Sequence, residues 1–258
     1  MKSGGEAATP MSMFDVRVII LFACTFLLCS EGPLLSPHLT EIAEEFGMSE
    51  EERDEKLGRE IALGLVMLGG PCGLALGLMA DRYSRKMLLV VIFGFSSIAA
   101  LGTAFATNFT TLFWCRALTG LSLGAAGPIK FSLLSDLFPP SQRIAISGRF
   151  STVGGAGGTA GLALSGLCGK LGWRFPFLVA GALLVVATIV VATCFKEPQR
   201  GATDGVKDDD ARPWRDLGAI FRTPTVLLLF VQGMLGCLPW GILVTFLCDY
   251  LHVNAATA

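Results

Sequence analysis

Charge is what this sequence has least of. Only 16% of its 258 residues are charged, against about 25% in a typical soluble domain. With 52% hydrophobic residues, that shortage excludes an ordinary water-soluble globule and points to an all-α integral membrane protein with the lipid bilayer as its first partner. The formal net charge of -1 offers none of the basic excess that a phosphate backbone attracts, so no nucleic-acid partner is expected. Histidine is nearly absent, with 2 residues, and the 8 cysteines form no CxxC pair and no Cys/His cluster. A metal cofactor therefore has no ligand set to occupy. Cys24, Cys29, Cys72, Cys115, Cys168, Cys194, Cys237 and Cys248 lie in or beside apolar stretches and read as small packing residues. There is no Walker loop and no nucleophile elbow, so enzyme chemistry has no foothold and no cofactor is expected.

Long apolar runs are what the sequence does have. A bilayer core takes about 20 apolar residues per helix. Runs of that kind cover 16–39, 57–80, 87–106, 111–138, 145–168, 175–195 and 225–250, predicting about seven spans. The expected organisation is a cytoplasmic N-terminus (1–15), a six-helix transmembrane bundle (16–195), a hydrophilic cytoplasmic linker (196–223) and a seventh helix within 224–258. The first run is about 20 residues long, beyond the usual 7–15 of a secretory signal, so it reads as a span. Ser49 and Glu52 have capping-box spacing, and Glu52/Lys56 and Glu55/Arg59 are i,i+4 pairs of favourable polarity. These predict a short polar helix leading into the second span.

Basic residues set the orientation. With the N-terminus inside, Arg82, Arg85, Lys86, Arg143, Lys196, Arg200, Lys207, Arg212, Arg215 and Arg222 fall on the cytoplasmic side. Arg53, Lys56, Arg59, Lys170 and Arg174 fall outside, so the bias favours a multi-pass protein with its N-terminus in the cytoplasm. The choice between plasma membrane and endomembrane stays open. Asn108-Phe109-Thr110 matches a glycosylation sequon in a tight outer loop.

Ionisable groups within a span are costly, and each is a functional candidate. Glu31 lies about 15 residues, or ~22 Å, beyond Val16. Arg116 lies about one turn into the fourth span, which enters from the same outer side. A Glu31–Arg116 pair at that depth would neutralise both charges, and protonation of Glu31 would release Arg116. A static clamp between spans one and four is the alternative. Lys130, deeper on the fourth span, either lines a cavity and attracts an anionic group or snorkels to the interface. His38, near the outer end of span one, reads either as a pH sensor in a cavity or as a solvated interfacial histidine. Gly69, Gly73 and Gly77 in span two, Gly120 and Gly124 in span four, and Gly154, Gly157, Gly158 and Gly161 in span five form small-residue rows suited to close helix packing. Pro33, Pro37 and Pro128 are candidate kinks.

Gly77-Leu78-Met79-Ala80-Asp81-Arg82-Tyr83-Ser84-Arg85-Lys86 resembles the signature loop between spans two and three of major facilitator transporters, departing at Ser84, where that family often has glycine. Arg116-Ala117-Leu118-Thr119-Gly120 resembles the family's span-four element, and Ser135-Asp136-Leu137-Phe138-Pro139-Pro140-Ser141-Gln142-Arg143 its inner end. With Gly172-Trp173-Arg174-Phe175-Pro176-Phe177, the set is most similar to the Spinster-like branch, although Leu123 stands where that branch usually has glutamate. The resemblance implies a twelve-helix fold of two six-helix halves, here truncated after a seventh helix, with the chain a fragment or a truncated product. It implies a gating latch at Gly77, Asp81, Arg82, Arg85 and Lys86, with the three basic residues anchored at the inner leaflet. It also implies a secondary carrier working by alternating access, in which Glu31 and Arg116 couple protons to a small organic or lipid-like solute. Two other readings remain at this stage: a seven-span receptor-like protein, invited by Asp81-Arg82-Tyr83, and a non-transporting assembly partner of a full-length transporter. Substrate and direction of transport are not legible in the sequence, because residues facing a pocket come from both halves.

Overall fold

The computed structural model describes residues 15–80, 82–168, 171–200, 222–228, 231–232 and 235, with the side chains at 62–63 and 65–67 left out. Every regular element among them is helical. Helix α1 (Val16–Glu31) begins at Asp15, whose carboxylate accepts from the Arg17 amide. It gives way to a 3-10 segment over Gly32–His38, where Pro33 and Pro37 each remove a backbone donor. The short α2 (Leu39–Glu45) follows.

The capping box at Ser49 and Glu52 is formed and starts α3 (Glu50–Glu52). A π-helical stretch, Arg53–Glu60, then leads into α4 (Ile61–Ala80). Lys56 donates to Glu52 at 2.9 Å and Arg59 pairs with Glu55, so the polar helix expected from the sequence runs into the second span. The remaining long helices are α5 (Arg85–Ala104), α6 (Phe109–Leu137), α7 (Pro140–Leu167) and α8 (Arg174–Cys194). Asn108 caps α6, its side-chain oxygen accepting from the Thr111 amide at 2.9 Å, so the sequon asparagine serves as a helix cap. Among the described residues, Val16–Glu45, Arg85–Ala104, Phe109–Leu137 and Arg174–Cys194 are long and apolar enough to cross a membrane, and Leu68–Ala80 is a shorter apolar stretch. Residues 224–228 of the expected seventh span are helical, and most of the rest of it lies outside the described residues.

Pairwise packing reveals an internal repeat. Among the helices, α4 packs most extensively on α6, α5 on α8 and α1 on α7. Exchanging the first three long helices (α1, α4, α5) for the last three (α6, α7, α8) turns the α1/α7 pair into the α6/α4 pair and leaves α5/α8 unchanged. A bundle of two equivalent three-helix units produces that pattern. Glycine lies at both equivalent seams. A Cβ on Gly69 would lie 2.7 Å from the Gly120 carbonyl oxygen, and one on Gly73 the same distance from that of Gly124. At the other seam Gly157 and Gly161 press on the Phe26 and Ser30 carbonyls. Gly154 meets the Cys29 thiol, whereas Gly158, singled out from the sequence, makes only ordinary contact.

Two apolar cores result. One gathers Val18, Leu28, Leu88, Phe93, Leu133, Phe138, Phe150, Leu184 and Phe195. The other gathers Leu34, Leu39, Ile42, Leu57, Leu112, Trp173 and Phe177. The outward faces of α5 and α8 expose large apolar residues such as Val91, Phe95, Ile98, Val186 and Ile189, as lipid contact requires. The exposed face of α7 instead carries Gly148, Arg149, Ser151, Thr152, Gly155 and Thr159.

Gly161→Ala should destabilise the bundle by about 1–3 kcal/mol, because the new methyl must displace a backbone carbonyl. Gly155→Ala, with no atom within 4 Å of the added Cβ, should leave the thermal midpoint in detergent unchanged or slightly raised.

Candidate functional site: a buried charge pair and two polar clusters at the bundle ends

Between the two apolar cores lies a polar layer that is sealed from solvent. Glu31, the last residue of α1, is 0% exposed, and Arg116 of α6 is 1% exposed. Arg116 Nη2 donates to Glu31 Oε1 at 3.1 Å. The same carboxylate oxygen accepts from Thr119 Oγ1 at 2.8 Å, and Oε2 accepts a short bond from Ser96 Oγ. Arg116 Nε and Nη2 also donate to Thr103 Oγ1, at 3.2 and 2.9 Å. Its guanidinium carbon stands 4.8 Å from the centroid of the Phe177 ring, within cation–π range. Helices α1, α5, α6 and α8 thus meet at one carboxylate and one guanidinium. Arg116 Nη1 is buried with no acceptor among the described residues, so the guanidinium is held along one edge only. Leu123 lies two turns further along α6 from Arg116, and a Cβ on Gly32 would touch its Cδ1 at 3.7 Å. Where the resemblance implies a second acid, the wall beside Glu31 is apolar.

At one end of the bundle a second network joins loops to helices. Arg85 is buried rather than anchored at a leaflet surface, correcting the expectation from the sequence. It pairs with Asp136 of α6, donates from Nη1 to the Ser132 carbonyl at 3.1 Å, and reaches Glu197 Oε1 at 3.3 Å. Glu197, just beyond α8, accepts from the Ser84 hydroxyl at 2.5 Å, the Arg85 amide at 2.8 Å and the Lys86 amide at 3.4 Å. Ser84 is itself the N-cap of α5, accepting from the Met87 amide. The residue that departs from the family pattern thus caps the helix and links it to Glu197. Arg200 donates to the carbonyls of Ala80 and Tyr83 at 3.0 and 2.7 Å. Gly77 packs against Pro128, Arg82 is exposed, Lys86 is half-buried, and Asp81 lies outside the described residues.

At the opposite end, His38 is buried rather than solvated. Its Nδ1 is 3.0 Å from Glu41 Oε2 and its Nε2 3.1 Å from the Ser165 carbonyl oxygen. Both nitrogens face acceptors, so the contacts are satisfied when the ring carries both protons or when Glu41 carries one. Beside it Arg174 clamps Glu45 through two bonds of 2.6 Å, and the Trp173 indole donates to the same carboxylate. His38 is therefore a tie between α7 and the loop following α1, not the lining of an open cavity.

Sequence reasoning singled out Glu31, Arg116, Arg85 and Lys130 but missed Ser96, Thr103, Thr119, Glu197 and Arg149. Arg149 carried a signal, being an ionisable residue within the fifth apolar run. Glu197 carried none, because its partners lie 111 to 113 residues away.

The geometry defines a multi-pass membrane bundle with a buried charge pair at its centre. The family model described as Major Facilitator Superfamily matches residues 21–256, and the chain belongs to that family. The quinolone resistance protein NorA of Staphylococcus aureus is 24% identical over 219 residues, covering 84% of this chain and 55% of that protein. The class B tetracycline resistance protein of Escherichia coli is 29% identical over 175 residues, covering 66% of this chain and 43% of that protein. A crystal structure of a bacterial homologue of the human lysosomal transporter Spinster, inward-facing and unoccupied, shares the fold, with a TM-score of 0.69 at 20% identity over 91% of this chain and 55% of that one. The chain spans about half the length of the curated relatives it matches.

Removing one member of the central pair strands the other in a low-dielectric site. Glu31→Gln or Arg116→Leu should each cost about 3–5 kcal/mol, while the double replacement should cost clearly less than the sum, as read by thermal unfolding in detergent. The Glu197 carboxyl also sets a pH dependence. Burial pushes it up, but hydrogen bonds from Ser84, the Arg85 and Lys86 amides and the Arg85 side chain outweigh this and hold it below the usual range. A lowered folded-state value stabilises above the unfolded glutamate range, near pH ~4.3, and that contribution is lost as pH falls through the lowered value. Glu197→Gln should therefore flatten the fall in stability between about pH 5 and pH 3.

Proposed function

We propose that this chain is part of a secondary carrier that works by alternating access and couples movement of a small organic or lipid-like solute to protonation of Glu31. The observation that carries this reading is the sealed Glu31–Arg116 pair, bonded to three helices and placed between two apolar cores. With Glu31 ionised, its two oxygens draw Ser96, Thr119 and Arg116 onto the end of α1. A proton delivered to Glu31 replaces the carboxylate by a neutral acid and removes the ion-pair attraction. Arg116, whose Nη1 has no acceptor among the described residues, then favours a different arrangement of α6. Family membership supports the carrier class, and the two relatives named above are a quinolone resistance protein and a tetracycline resistance protein.

The Arg85–Asp136–Glu197 network supports a role as the latch of the cytoplasmic gate. It ties the start of α5 to the end of α6 and to the segment after α8. The excess of basic residues at this end of the bundle supports placing it, and the N-terminus, in the cytoplasm.

Proteoliposomes with an imposed pH gradient and a pH-sensitive dye in the lumen test the coupling. Solute-dependent proton flux is expected from the unaltered protein, and Glu31→Gln should abolish the pH dependence. Undiminished pH dependence in Glu31→Gln would remove Glu31 from the coupling step.

A further inference from the structure

Lys130 and His38 lie inside the bundle but outside both the central pair and the Arg85 cluster. Lys130, half-buried on α6, turns its ammonium over the Phe131 and Phe150 rings, 5.3 and 5.6 Å from their centroids, a contact that asks for no acceptor. His38 is different, because its contacts depend on how many protons the ring carries. It is buried at the end of the 3-10 segment Gly32–His38, and its two nitrogens point at acceptors on different elements. Nδ1 faces Glu41 Oε2 of α2 at 3.0 Å, and Nε2 faces the Ser165 carbonyl oxygen of α7 at 3.1 Å.

Both partners favour a positive ring. Ser165 stands three residues before Cys168, the C-cap of α7, at the negative end of that helix, where carbonyls lack an amide partner within the helix. Glu41 already accepts at Oε1 from the Trp173 amide, at 3.3 Å, which leaves Oε2 for the histidine. A single proton therefore decides the contacts. With it, the ring donates from both nitrogens. Without it, one nitrogen must present a lone pair to an acceptor. Of the two neutral tautomers, the one bonded to the carboxylate is the better held, and it gives up the Ser165 carbonyl. The other charges nearby are already engaged. Glu45 is held by Arg174 and the Trp173 indole, Arg53 reaches Asp54 and Thr40, and Glu31 is held by Arg116. Residues 157–168 of α7 and its cap hold no charged side chain and one thiol, Cys168, and Lys170 lies outside the described residues.

We propose that His38 and Glu41 form a one-proton clasp, which ties the segment after α1 to the end of α7 when protonated and releases it when the proton leaves. The extra proton is held only in the tied form, so closure is complete at low pH and is lost as pH rises through the range in which histidines titrate. The Glu41 side chain is 44% exposed and that of His38 5%, so the clasp responds to water at its own end of the bundle. The Ser165 hydroxyl still donates to the Leu34 carbonyl at 2.7 Å, which confines the release to the chain beyond Leu34. The clasp acts on the end of the α1/α7 seam and does not touch Glu31, so it stands whether or not the carrier reading does.

The test uses the full chain in phosphatidylcholine nanodiscs with isotope-labelled histidine. The sequence has 2 histidines, so a His252→Gln background leaves the His38 ring as the only signal. Its nitrogen shifts should report an imidazolium at about pH 5 and the neutral Nδ1–H tautomer at about pH 8. Hydrogen exchange at the amides of 164–168, corrected for the intrinsic effect of pH, should quicken about tenfold or more over the same range. Glu41→Gln separates a clasp from a static tie. Its amide can donate to Nδ1 while the neutral ring donates from Nε2 to Ser165, so protection should stay high at both pH values. His38→Gln should instead bring protection at the lower pH down to the level of the unaltered protein at the higher one. A His38 ring that stays neutral throughout with protection unchanged, or a pH effect that survives His38→Gln, overturns the proposal. So does a Glu41→Gln protein that has lost protection at both pH values.

Discussion

A carboxylate and a guanidinium removed from both water and lipid are the constraint around which this bundle is organised. Each alone would carry a large desolvation cost. Together, with hydroxyls from Ser96, Thr103 and Thr119 and the face of Phe177, they form a nearly satisfied polar layer. The hydrogen bonds join three helices and the Phe177 ring contact adds a fourth, so the layer fixes their register as well as their charge balance. Apolar cores on either side keep water out, which strengthens the attraction and raises the cost of leaving either partner alone. On the proposed reading the layer has two conditions, ionised with its partners gathered or neutral with them released, and a bistable element of that kind is what a carrier requires.

Close packing makes the layer possible. The ion-pair distance of 3.1 Å depends on α1 and α6 each being held by a glycine seam, α1 against α7 and α6 against α4. In lipid the hydrophobic effect does not drive helices together, so backbone-to-backbone approach supplies much of the attraction. Smooth seams also resist rocking less than interlocked side chains do. Further ion pairs pin the bundle ends, in the Arg85–Asp136–Glu197 and Glu45–Arg174 clusters. A bundle pinned at its ends and smooth along its seams concentrates change where the pins can break.

Much of this was legible in the sequence, for physical reasons that can be named. Apolar runs at 111–138 and 175–195 correspond closely to Phe109–Leu137 and Arg174–Cys194, because membrane thickness fixes the length of a span. Lone charges inside such runs identified Glu31 and Arg116. Pro33 and Pro37, read from the sequence as candidate kinks, lie in the 3-10 segment Gly32–His38. The hydroxyl partners were not legible. Ser97 and Ser122 bond the carbonyls of Phe93 and Leu118 in their own helices, whereas Ser96, with the same local sequence character, reaches Glu31. Only tertiary placement separates the two behaviours. His38 was misjudged because its burial depends on Ser165, 127 residues later. Arg85 was misjudged because a basic residue beside a span ordinarily faces headgroups, and here two acids from distant segments draw it inward.

The central claim is that protonation of Glu31 and rearrangement of its helices are one event. Infrared difference spectroscopy of the protein in nanodiscs, comparing the unaltered chain with Glu31→Gln across pH, isolates the carboxylic-acid carbonyl band of Glu31. A spin-label pair on α1 and α6 reports their separation in the same samples. The account expects the band and the change in separation to rise over the same pH range, and both to be absent in Glu31→Gln. A Glu31 that protonates with no helix movement, or helices that move while Glu31 stays ionised against Arg116, would contradict it.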